Sequence, residues 1–172
     1  MSKRLLFCVE STSQANTDYT YIQETIRHYY EDSRKIVRRA IPMESKSRYN
    51  SRKVSEKIKA LSGSTDTNVI YCLDTDNYTV SAGDKVLLDQ IRSYCEANGY
   101  DFIFFCRDIE DVFHGRIIPG TDKVQAAARF RNTHAIETVK TSNLTRKDYQ
   151  IHCSNILNVL DKYLTRKERE NE

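Results

Sequence analysis

Val69-Ile70-Tyr71-Cys72-Leu73-Asp74-Thr75-Asp76-Asn77 is an apolar, β-prone run that ends abruptly in two aspartates one residue apart. A continuous run of this kind reads as a strand buried on both faces of a parallel sheet, and ligands collect at the carboxyl ends of such strands. With a side-chain period of two, Asp74 and Asp76 are expected on the same side of an extended chain. Two carboxylates held together repel each other unless a proton or a cation lies between them. A hard divalent metal meets that need with oxygen ligands and leaves room for phosphate. A plain Asp-rich turn after a strand is the other reading, because Asp and Asn favour turns.

Outward from this run, strand-like and helix-like segments alternate. Leu5 to Val9 reads as a first buried strand with Glu10 at its carboxyl end. After a polar loop, Tyr19, Ile22, Ile26 and Tyr29 recur at helical spacing, with Thr17 as the expected cap and Asp18 at the positive end. Lys35 to Ile41 is a second strand stopped by Pro42, and Met43 to Ser51 a polar, basic loop. Val54, Ile58 and Leu61 then mark one face of a helix ending near Gly63. Beyond the aspartates, Asp84 to Ala97 reads as an amphipathic helix closed by Asn98-Gly99, and Asp101 to Cys106 as a fourth strand.

The pattern predicts an α/β fold: a mainly parallel, four-stranded, Rossmann-like sheet flanked by helices, with right-handed crossovers. Ile109 to Phe113 is expected to form a helical turn, and Asp122 to Phe130 a helix. Thr145 to Leu164 is expected to be a longer helix with Thr145 and Asp148 as its capping box, followed by a fraying charged tail over 165–172. The whole chain, 1–172, is read as one domain, with an α/β core over 5–108 and a helical C-terminal extension over 109–172.

At 172 residues the chain is long enough to bury a real core, and its 30% of charged residues and 10% of aromatics exclude disordered and fibrous classes. No apolar run approaches the ~20 residues that span a bilayer. Met1-Ser2-Lys3-Arg4 leads into a strand instead of a signal-peptide core, so a cytoplasmic protein without a membrane partner is expected. Cys8, Cys72, Cys95, Cys106 and Cys153 lie far apart and mostly in apolar runs, which points to buried thiols and away from disulfides or a zinc site. Charge is unevenly placed. Ten Lys and Arg lie between Arg34 and Lys59 against Glu44 and Glu56, whereas nine acids lie between Asp74 and Asp111 against three cations. A cationic surface beside an anionic pocket suits a polyphosphate substrate, and an ordinary solvated face is the alternative.

Glu10, Asp74 and Asp76 all end strands that a parallel sheet brings to one edge. A glutamate after the first strand and D-x-D after the third resembles the acidic pattern of the Toprim domain of topoisomerases, bacterial primases and OLD-family nucleases. Val9-Glu10-Ser11, with Thr17-Asp18-Tyr19 opening a helix, is similar to the family's first motif, although Ser11 stands where glycine is usual and the loop before Thr17 is longer. Asp74-Thr75-Asp76 is intact, without the glycine that often follows. The resemblance spans Leu5 to Asp108. At this length it points to the small bacterial nuclease-type members and to a Toprim-like layer.

The resemblance implies a metal-dependent nuclease hydrolysing phosphodiester bonds. Glu10, Asp74 and Asp76 would be catalytic and would hold Mg²⁺ or Mn²⁺, with Glu110 a further metal ligand. Arg38, Arg39, Lys46, Arg48, Arg52 and Lys53 are the residues expected to bind nucleic-acid phosphates, Lys46 and Arg48 nearest the scissile one. DNA or RNA is the expected partner. A partner protein such as an ATPase, self-association and a role in phage defence follow only from the resemblance. A non-catalytic nucleic-acid-binding or regulatory subunit and a receiver-like phosphoacceptor are the competing readings, the latter lacking its acidic pair after the first strand. His114 is expected in a surface loop, and no His, Ser or Cys here falls into a nucleophile motif.

Overall fold

Each apolar run forms a strand, and the four strands lie parallel in one sheet. In the computed structural model, which describes residues 3–168, they are β1 (Lys3–Val9), β2 (Ile36–Pro42), β3 (Asp66–Asp74) and β4 (Asp101–Phe105), in the order β2-β1-β3-β4. Strands buried on both faces need helices on both sides, and the side-chain alternation shows them. Leu5, Phe7 and Val9 of β1 point with Ile70 and Cys72 into a core covered by α1 (Thr17–Tyr29), α4 (Ile109–His114), α5 (Lys123–Asn132) and α6 (Ile156–Leu160). Leu6 and Cys8 point with Val69, Tyr71 and Leu73 into a second core under α2 (Arg52–Ser62) and α3 (Ala82–Asn98). All five cysteines are buried free thiols. No described helix is long and apolar enough to cross a membrane.

Local chemistry sets the helix ends. Ser51 caps α2 through the amide of Val54, Ser81 caps α3 through that of Asp84, and Asp108 caps α4 through that of Asp111. Gly99 closes α3 in the left-handed conformation that glycine adopts without strain. At α1, however, Asn16 and not Thr17 is the capping position, and neither supplies a side-chain cap. Ser11 does so from the preceding loop, its Oγ accepting from the Asp18 amide at 3.1 Å.

The C-terminal segment departs from expectation. Instead of one helix over Thr145 to Leu164, only Ile156–Leu160 is helical, and the backbone before it bonds elsewhere. Cys106 donates to the Cys153 carbonyl, Ser154 to that of Asn143, and Phe105 and Ser154 form an antiparallel bridge. Asn155 completes the arrangement. Its side-chain oxygen accepts from the Phe104 amide and its Nδ2 donates to the Phe102 carbonyl, both at 2.9 Å. Tertiary pairing with the open edge of β4 thus overrides the local helical period. The tail is not loose at its start: Glu31 donates to the Thr165 carbonyl and Lys167 to that of Tyr29. The rest of the expected fraying tail, 169–172, lies outside the described residues.

Candidate functional site

The parallel sheet brings the two predicted acidic motifs into contact. Glu10, one residue past β1, accepts through Oε1 from the backbone amide of Asp74 at 3.0 Å. Asp74 in turn accepts through Oδ1 from the Ile109 amide, the first of α4, at 2.9 Å. The loop after β3 is fastened to the segment after β4. Thr75 donates to the Phe105 carbonyl, Asp76 to that of Arg107, and the Arg107 amide donates to the Thr75 hydroxyl, all at 2.9 Å.

Asp74 and Asp76 do not share a side through strand alternation. β3 ends at Asp74, and Asp76 sits in the left-handed region with φ 47°, so the chain turns between them. Asp74 faces α1 and α4, on the side of Cys72 and Ile70. Asp76 faces the turn after β2. There its Oδ2 meets the Lys46 ammonium at 2.5 Å, while the same ammonium donates to the Asp74 carbonyl at 2.7 Å and lies 3.9 Å from Glu10 Oε1. Lys46 is therefore buried in a short 3-10 turn at the acidic site and is not displayed on a basic loop.

A second lysine closes the other flank. Lys123 of α5 reaches Glu110 Oε2 at 2.8 Å and Asp108 Oδ2 at 3.5 Å, and Glu110 is only 1% exposed. Asp18 and Tyr21 lie in the stretch from Thr17 to Ile22 that resembles the first motif, whereas no local pattern in the sequence marks Asp108, Lys123 or the contact of Tyr21 with His114. His114 closes α4, half-buried, with its Nε2 2.9 Å from the Tyr21 hydroxyl, so it is not a loop residue.

The electrostatics follow from crowding carboxylates out of water. Burial pushes Glu10 up to about 7; Lys46 and the Asp74 amide hold it back, while Asp76 and Asp18 add to the rise. Asp74 is raised far more, by burial first and then by Glu10, Asp18, Glu110 and Asp108. Asp18 and Glu110 rise for the same first reason. Burial opposes the charge of Lys46, yet Glu10 and Asp76 outweigh it and raise its pKa. The site is a buried anionic cluster with two internal cations.

The donor set suits a hard divalent cation: every candidate ligand is a carboxylate oxygen, the cluster repels itself, and Glu110 Oε1 is buried without a partner. Among the described residues no three His, Cys, Asp or Glu side chains are arranged to hold a metal ion as they stand. The lysines take up carboxylate oxygens that a metal would need. Glu10 and Asp76, bridged by Lys46, would hold Mg²⁺ or Mn²⁺ once that lysine swung aside, whereas the Asp74 carboxylate faces the side of Glu110, where a cation would replace Lys123.

The expected phosphate-binding residues divide. Arg48 and Lys53 both pair with Glu44, at 2.5 and 3.0 Å, and Arg52 pairs with Glu56 along α2. Arg38 and Arg39 line a cleft between β2 and α1. No protein family matches the chain, and no characterised protein or solved structure matches it either.

Proposed function

We propose that this chain is a Toprim-like, Mg²⁺- or Mn²⁺-dependent nuclease of the cytoplasm that hydrolyses phosphodiester bonds in DNA or RNA. The observation that carries this reading is the bond from the Asp74 amide to Glu10, which joins two strand-terminal acidic motifs, 64 residues apart, in one buried cluster. A bound Mg²⁺ or Mn²⁺ would polarise water and neutralise charge on the phosphate. Glu10 suits a general base by its place in the cluster: its carboxylate takes a proton from the water whose oxygen bonds to phosphorus, as the bond from phosphorus to the leaving oxygen breaks. The Asp74 amide fixes the orientation of Glu10. Lys46 holds Asp76 in place and offers an ammonium to a phosphate oxygen when it moves off the carboxylate. A partner protein such as an ATPase, and a role in phage defence, belong to the same proposal.

The test is cleavage of labelled single- and double-stranded DNA and RNA with Mg²⁺ or Mn²⁺, beside Glu10→Gln and Asp74→Asn. Metal-dependent cleavage lost in both variants is the expected result, and cleavage that persists in either removes that residue from the reaction. A second reading, a non-catalytic nucleic-acid-binding subunit, draws on the 2.5 Å contact between Lys46 and Asp76, which neutralises the cluster without a metal. It predicts nucleic-acid binding with neither cleavage nor metal-induced stabilisation.

A further inference from the structure

From the cleft between α1 and the edge strand β2, we infer that the protein binds single-stranded nucleic acid there. The inference deepens the nuclease reading by naming its substrate class, and rests on that reading for cleavage of the bound strand. The cleft has a volume of about 610 Å³. Topology places it. The parallel strands run up to the acidic edge and α1 runs back down; of β2 only residues 36–39, paired with 3–6 of β1, line the cleft, so it lies beside the strand starts and Tyr19 is its lining residue nearest the acidic edge. Tyr19, the residue after Asp18, lines its upper end, and Tyr30 and Asp32 its lower end.

Its walls are cationic and its floor apolar. Arg27, Arg38, Arg39 and Lys167 face Asp32 as the single lining carboxylate, over a base that includes Ile26 and Tyr30. Two of these cations have no carboxylate partner among the described residues: Arg39 donates to the Arg38 carbonyl at 3.2 Å and Lys167 to that of Arg27 at 2.6 Å. Among the described residues Arg38 is paired only with Asp32, whose side chain is 86% exposed. The half-buried Tyr19 ring, packed against Phe7, lines the same cleft as Arg38 and Arg39. A cationic groove with an aromatic residue and an apolar floor holds phosphates along its rim and bases against its base. A rigid duplex is too broad to enter a cleft of this volume and would meet only its rim, whereas a single strand can lay its bases inside.

The direct test is fluorescence anisotropy with labelled single-stranded DNA, single-stranded RNA and duplex DNA, on full-length Asp74→Asn protein in EDTA, so that binding is read without cleavage. Single strands are expected to bind more tightly than duplex. Arg39→Gln/Lys167→Gln removes two exposed charges bonded only to carbonyls. It should weaken single-strand binding about tenfold and reduce the slope of log K against log salt by about 1.4, two phosphates at about 0.7 each. Arg131→Gln/Lys140→Gln removes equal charge outside the cleft and should leave the slope within about 0.3 of the parent. Duplex binding as tight as single-strand binding, an unchanged slope in Arg39→Gln/Lys167→Gln, or equal displacement by polyglutamate overturns the inference. Single-strand binding that needs the cleft in a wild-type protein that never cleaves would leave the cleft standing and sink the nuclease. Cleavage with an unaltered KM in the cleft variant would do the reverse.

Discussion

Raising the pH perturbs the acidic cluster without a mutation. Burial raises Glu10 to about 7 from the 4.5 of an ordinary glutamate, so the folded protein holds this proton more tightly than the unfolded chain. The stability gained from it is complete below about pH 4.5 and is lost as the pH rises through about 7. At 1.36 kcal/mol per pK unit that gap is worth about 3 kcal/mol. Glu10 keeps 20% of its side chain exposed. Solvent screening therefore brings the expected loss to about 2 kcal/mol. Asp74 and Asp18, raised by burial, steepen the fall. His114 works in the opposite direction: burial and then Arg116 lower its pKa, so it favours the folded state as the pH rises through the histidine range. Urea titrations between about pH 5 and pH 8 should show wild-type stability falling, with about 2 kcal/mol of that fall absent in Glu10→Gln. Millimolar Mn²⁺ should restore stability at the upper end of the range and much less at the lower end, where protons already occupy the cluster. A wild-type profile that rises across this window, or an equal fall in Glu10→Gln, would refute the reasoning.

Other perturbations test separate parts of the structure. Lys123→Met strands the buried Glu110 carboxylate and should cost about 3–5 kcal/mol at neutral pH by chemical denaturation, with much of it regained on acidification. Asn155→Ala removes both bonds to the β4 backbone and should cost about 2–3 kcal/mol; hydrogen exchange should quicken at the Phe104 amide. Tyr30→Phe deletes the hydroxyl that donates to Asp161 at 2.8 Å and should cost about 1.5–3 kcal/mol, read from the urea midpoint.

The sheet and the flanking helices through Phe105 were legible because buried parallel strands are continuous apolar runs and because Ser51, Ser81 and Gly99 mark helix ends chemically. Thr145 to Leu164 misled because Tyr149, Ile156, Leu160 and Tyr163 mimic a helical stripe, whereas Asn155 and Cys153 are committed to the edge of β4. Periodicity records which residues seek burial, and says nothing of a neighbouring strand that competes for their backbone. The meeting of Glu10 with Asp74 followed from parallel order alone. The roles of Lys46 and Lys123 could not be read, since each reaches carboxylates through a fold whose side-chain directions no local pattern encodes. The turn at Asp76 was hidden for a related reason: its left-handed backbone is fixed by the Arg107 carbonyl, 31 residues away in sequence.

The fastening of the loop after β3 onto residues 105–109 bears on how the protein is made. Glu10 and both aspartates leave the ribosome well before Phe105, Arg107 and Ile109, whose backbone groups hold Thr75, Asp76 and Asp74 in position. At about 5–20 residues per second, a growing chain spends seconds with all three acidic residues synthesised and their anchors still missing. A chain stalled between β3 and β4 would carry the acidic residues but not their arrangement. The order of synthesis thus delays assembly of the carboxylate cluster until most of the fold that encloses it exists.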